Sequence, residues 1–170
     1  MRDIQEYAIR CMEMLDKIGV PYGNIQNVTV NNRAKKRWGL CSVVSNGFDI
    51  QINAVLLDET TDESGLMNTM LHELLHSVPG CMNHGAKWKA MADKVYKAYG
   101  IYIKRCSNAA EKGVAADMIE EMNAKRYKYF VSCPDCGHVF KYMRMCDCVK
   151  NPGRYHHTGC KSNLVRVFEI

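Results

Sequence analysis

Apolar residues recur at three- and four-residue steps over residues 3–18, at Ile4, Ala8, Cys11, Leu15 and Ile18, and this spacing predicts an amphipathic helix. Gly19-Val20-Pro21-Tyr22-Gly23 ends it. The period then shortens. Val28–Val30, Trp38–Val44 and Phe48–Ala54 are strand candidates, and in the last of them Phe48, Ile50, Ile52 and Ala54 alternate with Asp49, Gln51 and Asn53. Ser45-Asn46-Gly47 suits a hairpin turn between the second and third strands. The helical period returns at Leu66, Met67, Met70, Leu71, Leu74, Leu75 and Val78. Thr60 and Glu63 have capping-box spacing ahead of that helix, Gly65 weakens its start, and Pro79-Gly80 stops it. Trp88, Met91, Ala92, Val95, Tyr96 and Tyr99 predict another helix over about 85–99, with this stripe in the core. A further helix is expected around 108–124. From Tyr127 the character changes: Tyr127–Ser132 and Val139–Met145 read as strands around a Cys-x-x-Cys turn, and Leu164–Phe168 as a last strand.

This order of elements predicts an α+β chain, with a larger domain over 1–125 and a small appended segment over 126–170. The apolar fraction of 47% and charged fraction of 24% are those of an ordinary globular protein. Met1-Arg2-Asp3-Ile4-Gln5-Glu6 has no apolar signal core, and no run approaches the ~18 apolar residues of a membrane span, so a cytoplasmic location is expected. Nine cysteines fit poorly with a closed disulfide framework and point to metal. Charge is unevenly placed. Residues 1–100 carry 11 Lys/Arg and 11 Asp/Glu, whereas residues 101–170 carry 12 and 7, so the whole +5 lies at one end. That asymmetry suits a polyanion contact; the alternative is an ordinary solvated surface.

His72-Glu73-Leu74-Leu75-His76 changes the picture most. On a helix, residues i and i+4 share a face, so both imidazoles can grip one zinc ion while Glu73 lies beside them as a general base. A catalytic zinc takes three protein ligands and leaves one position open. His84, just past the Pro79-Gly80 break, is the best third ligand, with Glu111, Glu120 and Glu121 as carboxylate fallbacks. Cys81 would close the site if it became a fourth ligand, making it a structural staple. Zinc lowers the pKa of a bound water from 15.7 to about 7 and polarises a carbonyl, and Glu73 can accept a proton and pass it to a leaving amine. The sequence names no oxyanion stabiliser.

A second metal set lies near the C-terminal end. Cys133-Pro-Asp-Cys136-Gly137 is half of a zinc knuckle, and His157-Thr-Gly-Cys160 repeats its two-residue gap, giving a Cys3His structural set. The competing set replaces His157 and Cys160 with Cys146 and Cys148, whose one-residue gap is less usual. His138 and His156 read as bystanders. So small a segment needs zinc to supply its folding energy. Its Lys125, Arg126, Lys128, Lys141, Arg144, Lys150, Arg154, Lys161 and Arg166 are interleaved with Tyr127, Tyr129, Phe130, Tyr142 and Tyr155. Such a surface can hold phosphates and stack bases, although most of these aromatics are expected to form the ribbon's small core.

Several stretches together resemble the SprT-like (Spartan-related) zinc metallopeptidase family. They are Asn32-Arg33-Ala34-Lys35-Lys36-Arg37-Trp38-Gly39-Leu40-Cys41 before the strand at 50–57, the His72–His76 motif, Asn83-His84-Gly85-Ala86-Lys87-Trp88, Cys133–Gly137 and Lys150-Asn151-Pro152-Gly153-Arg154-Tyr155. The resemblance implies an α+β zincin domain with a trailing zinc ribbon, His72, His76 and His84 as metal ligands, Glu73 as the base, and cleavage of proteins on or near DNA. The chain departs from the family pattern at His157-Thr-Gly-Cys160-Lys161-Ser162, where a Cys-x-x-Cys pair with a nearby glycine is usual.

Three functions follow as expectations. The first is a zinc metallopeptidase acting on a protein substrate, including DNA-associated or DNA-crosslinked proteins, with DNA, single-stranded in preference, as a partner. The second is a metal-dependent hydrolase of a small substrate such as a nucleotide. The third is a nucleic-acid-binding module with an inactive enzyme site. The Arg33–Arg37 cluster either lines the catalytic cleft, touches DNA, or is a solvated loop. An extended substrate is expected to pair along an edge at residues 48–54.

Overall fold

A computed structural model describes residues 1–34 and 37–167. The chain divides into two compact units, Met1–Ala116 and Asp117–Ile170. The division falls ahead of the helix over 116–124 rather than after it, and that helix has no buried residue.

The first unit opens with helix α1, Ile4–Lys17, capped by the Asp3 carboxylate on the Gln5 N–H at 2.8 Å. Its Ile4, Ala8, Cys11 and Leu15 face the core, as their spacing predicts. Strands β1 (Ile25–Asn31), β2 (Gly39–Val44) and β3 (Gly47–Asn53) form one sheet in the order β1-β3-β2. β2 and β3 are an antiparallel hairpin closed by the Val44–Gly47 pair, and β1 runs parallel to β3. β3 is therefore the central strand. The expectation that a substrate pairs along 48–54 is overturned, because both edges of β3 are already bonded. Among the described residues the open edges belong to β1 and β2.

Helix α2, Glu63–His76, crosses beneath the sheet and is buried nearly all round. Its Leu66, Met70, Leu71, Leu74 and Leu75 are fully inside, and burying each contributes on the order of 1.5–3 kcal/mol. The helix starts differently from its capping-box spacing. Asp62, not Thr60, is the cap, accepting from the Ser64 N–H at 2.8 Å, while Thr60 turns its own N–H to Asp58. A carboxylate beats a hydroxyl here because it also faces the positive end of the helix dipole. Gly65 is not a weak point but a contact point. A Cβ there would lie 2.0 Å from the Lys112 carbonyl oxygen, so the missing side chain lets the 110–112 segment press onto α2.

Helix α3, Ala86–Tyr99, buries Trp88, Ala92 and Val95 and ends on Gly100 in the left-handed region. Tyr96, expected in the core, is half exposed and sits edge-on to Tyr102 instead. The helix expected over 108–124 is broken. A 3-10 turn at Ala110–Lys112 stops at Gly113, also left-handed, and α4 occupies Ala116–Ala124.

In the second unit, β4 (Tyr129–Ser132), β5 (Val139–Tyr142) and β6 (Val165–Val167) make an antiparallel sheet with β4 central. Residue 168 of the expected last strand lies outside the described residues. A short helix α5, Asp147–Lys150, packs Val149 against Val131, Cys133 and Leu164. Tyr129, Phe140 and Tyr142 rest on this small cluster, so they are core rather than stacking platforms.

Two substitutions check how α2 is held. Asp62→Ala should cost about 1 kcal/mol, lowering the first unit's Tm by about 2–4 °C. Gly65→Ala should cost more, although alanine is the better helix former, because its methyl meets backbone. Thermal unfolding by circular dichroism reads both; a stabilised Gly65→Ala would contradict the contact.

Candidate metal centre

α2 presents His72 and His76 one turn apart, and the turn after Pro79-Gly80 brings His84 back over them. One ligand nitrogen from each ring lies within 4.8 Å of the others. Nε2 of His72 stands 3.2 Å from Nε2 of His76 and 3.0 Å from Nε2 of His84. The outer nitrogens explain this convergence. His72 Nδ1 is 3.1 Å from the Lys104 carbonyl oxygen, and His76 Nδ1 is 2.9 Å from that of Cys81. A carbonyl only accepts, so each Nδ1 carries the proton and each Nε2 turns a lone pair inward. Lone pairs that close repel unless a cation sits among them. The donor set therefore fits a metal ion, and three imidazoles suit zinc. Burial, and then the neighbouring imidazoles, push the His72 pKa down to about 3, and burial lowers that of His84, so both rings are held neutral as ligands must be.

Trp88, buried at the start of α3, packs its ring against all three histidines, with centroids 4.9, 5.8 and 4.7 Å away. It is thus a wall of the site as well as a core residue. Cys81 contributes its carbonyl, not its sulfur, and is absent from the metal-competent group. Of the carboxylate fallbacks, Glu111 pairs with Lys104 at 2.7 Å and binds the Asn108 N–H. Glu120 and Glu121 lie on α4 in the second unit, Glu121 paired with Lys125.

Glu73 is buried, its side chain laid against β2. A Cβ on Gly39 would fall 2.5 Å from Glu73 Oε1, so the carboxylate occupies the space that a side chain on β2 would fill. The Cys41 N–H donates to it. Burial pushes its pKa up to about 7, against the opposing pull of that N–H and of the Lys112 and Arg37 charges. A carboxyl poised near neutrality can both take and give a proton.

Lys112 is the residue that no pattern announced. It is only 5% exposed, and its Nζ donates to Asn68 Oδ1 at 2.7 Å. Burial pushes its pKa down to about 8, while Glu73 and Glu111 work to keep it charged. Lys112 and Glu73 line one cavity of about 260 Å³ with His72, Trp38, Gly39 and Ser107. Trp38 Nε1 donates to the Ser107 carbonyl at 3.0 Å and ties the two sides of that cavity together. Gly39 was detectable in principle, since a glycine inside a strand marks a close approach.

In the second unit, Cys133, Cys136, His157 and Cys160 form the other metal-competent group. His157 Nδ1 lies 3.2 Å from Cys136 Sγ and 3.9 Å from Cys160 Sγ. Four protein donors including three thiols make a closed set that fits structural zinc. Cys146 and Cys148 stand outside it, packed on the small core, with Tyr142 donating to Cys148 Sγ at 3.4 Å. His138 stacks on His157, and Asp135 accepts from the Lys161 and Ser162 N–H groups, binding the two knuckles together. His156 bridges to Asn163.

Metal analysis of the purified chain should find two zinc ions. His76→Ala should lose one, and Cys136→Ser together with Cys160→Ser should lose the other. Mass spectrometry of the native protein counts them; full occupancy in His76→Ala would contradict the three-histidine site.

The geometry agrees with what comparison with known proteins finds. Residues 12–109 match the SprT-like family, a span covering the end of α1, the first sheet, α2, α3 and all three histidines. Among curated proteins, none matches. The family and the two donor sets fit a metal-dependent hydrolase. No helix among the described residues is long and apolar enough to cross a membrane. With its matched span covering more than half of its length, the chain belongs to the SprT-like family.

Proposed function

We propose that this chain is a zinc-dependent metallopeptidase that hydrolyses peptide bonds, with proteins bound or crosslinked to DNA among its substrates. The observation that carries this is the buried Glu73 carboxyl, with a pKa near 7, beside three inward-facing imidazole nitrogens. A zinc ion held by His72, His76 and His84 would supply a Lewis acid that acidifies water and polarises a carbonyl. Glu73 takes one proton from the attacking water and returns it to the departing amine nitrogen, so water is divided between the new carboxyl and the new amine. The Cys41 N–H and the Gly39 gap hold Glu73 in place for both transfers. Lys112 supports the ionised form of Glu73 between them. β2 carries Gly39 and Cys41 and has an open edge among the described residues, which supports an extended substrate pairing there rather than on β3.

The DNA partner is supported by the basic residues of the second unit, where Lys128, Lys141 and Arg144 are exposed. That support rests on charge more than on stacking, since Tyr129, Phe140 and Tyr142 are committed to the ribbon's core. An intact base beside three ligand nitrogens counts against a binding module with an inactive site.

Glu73→Gln should keep both zinc ions and lose at least about 100-fold in peptide cleavage, the lower end of general acid–base contributions. The assay is digestion of a DNA-binding protein with and without single-stranded DNA. Cleavage that persists in Glu73→Gln would end the mechanism, and turnover of nucleotides without proteolysis would favour the small-substrate hydrolase. Lys112→Met should slow cleavage and raise the lower pKa of its pH profile, because removing a cation disfavours ionised Glu73. Lys112→Arg should restore the profile. An unchanged profile in Lys112→Met would show that the lysine only packs.

A further inference from the structure

We propose that the cleft beside Glu73 selects acidic polypeptide segments, with Arg37 and Arg105 as the residues that read them; this rests on the peptidase function above and names its substrate class. Among the described residues, four cationic side chains line the cavity that holds Glu73: Arg37, Lys104, Arg105 and Lys112. Two of them are already matched. Lys104 pairs with Glu111 at 2.7 Å. Lys112 is buried, bonded to Asn68, and faces the charge of Glu73. Arg37 and Arg105 are exposed, and neither has a carboxylate partner among the described residues.

Both guanidinium-bearing residues line the cavity that holds Glu73. Arg37 adjoins Trp38 and lies close enough to Glu73 to favour its ionised form. Arg105 lies close enough to His84 to oppose its protonation. The segments that carry them are joined by the Trp38 Nε1 bond to the Ser107 carbonyl, and the Arg105 side is also tied to His72 through the Lys104 carbonyl. The charges are therefore mounted on the same supports as the catalytic groups. A substrate bond that reaches Glu73 brings its neighbouring side chains into the cavity these arginines line. A carboxylate there completes charge-assisted hydrogen bonds, whereas a lysine or arginine meets like charge in a partly dehydrated space.

The occupant is an extended polypeptide rather than a nucleotide or a nucleic-acid backbone because of how the cleft continues. A second hollow of about 430 Å³ shares Lys104 and Ser107 as walls and is bounded by Met67, Ile101 and Tyr102 along with Asn68 and Glu111, the latter's charge matched by Lys104. It offers apolar surface beyond the cationic centre, which suits alternating side chains and not a row of phosphates.

The test uses the full chain with zinc bound and Glu73→Gln to prevent turnover. Three unstructured fluorescent peptides of one length are titrated by anisotropy: Glu-rich, Ser-rich and Lys-rich. The Glu-rich peptide should bind about tenfold tighter than the Ser-rich one, as one added charge-assisted contact implies, and the Lys-rich one more weakly still. Adding Arg37→Glu and Arg105→Glu together should reverse that order; both side chains are exposed, and zinc content checks the fold. Arg105→Gln alone should reduce the preference without reversing it. Equal binding of the three peptides would overturn the proposal. So would a Glu-rich preference that survives in the double variant, because it would then come from outside the cleft. Binding of an oligothymidylate lost in the double variant while the peptide order stays would make nucleic acid the occupant, and would overturn it too. Failure of the Glu73-intact chain to cleave any of the three would sink the peptidase function, while the binding order in Glu73→Gln would still decide on charge selection.

Discussion

Three imidazole nitrogens share a point in space only if each ring's other nitrogen is already satisfied or left to solvent. Two protein carbonyls meet that condition here, those of Lys104 and Cys81. Each comes from a loop rather than from the motif helix. The loops are in turn held by the packing of α2, which is buried on almost every side. Burying a histidine and a glutamate on such a helix opposes folding, and the surrounding leucines offset it. The site is thus a polar inclusion whose geometry the core enforces, with Trp88 closing it on the α3 side.

The same economy governs Glu73. Glu73 fits because Gly39 has no side chain, and the 110–112 segment reaches it because Gly65 has none. One glycine makes room for the carboxylate, and the other brings the lysine that answers its charge. Sheet, helix and 3-10 turn are thereby registered to one another by two missing methyl groups. That registration is local and steric, so it holds with either protonation state of Glu73.

Much of this was legible in the chain. The three-four spacing of α1 and α2, the alternation in β3 and the Pro79-Gly80 stop all became elements within a residue or two of their expected limits. The two histidines and the glutamate were legible because their i, i+4 spacing is itself the geometry. His84 and the Cys3His set were legible through the small number of donors at suitable spacings, and the structure brings both groups together. What escaped was what depends on pairing at a distance. Strand order β1-β3-β2 put β3 in the centre, which no alternation pattern encodes. Tyr96 lay on the predicted stripe and yet faces outward, because the stripe is wider than the surface α3 covers. Lys112 carried no signal in the sequence, since burial of a lysine follows only from what folds over it.

Trp88 and Trp38 are the chain's two tryptophans, and both stand at the centre, one against the three imidazoles and one in the wall of the Glu73 cavity. Nowhere else does the molecule carry an indole. Its indole emission, excited at wavelengths too long for the nine tyrosines, is accordingly a local signal. Binding at the histidines alters the rings stacked on Trp88, and entry into the cleft alters the surroundings of Trp38. The protein thus carries its own optical probe of occupancy, placed at the three histidines and the Glu73 cavity and needing no label.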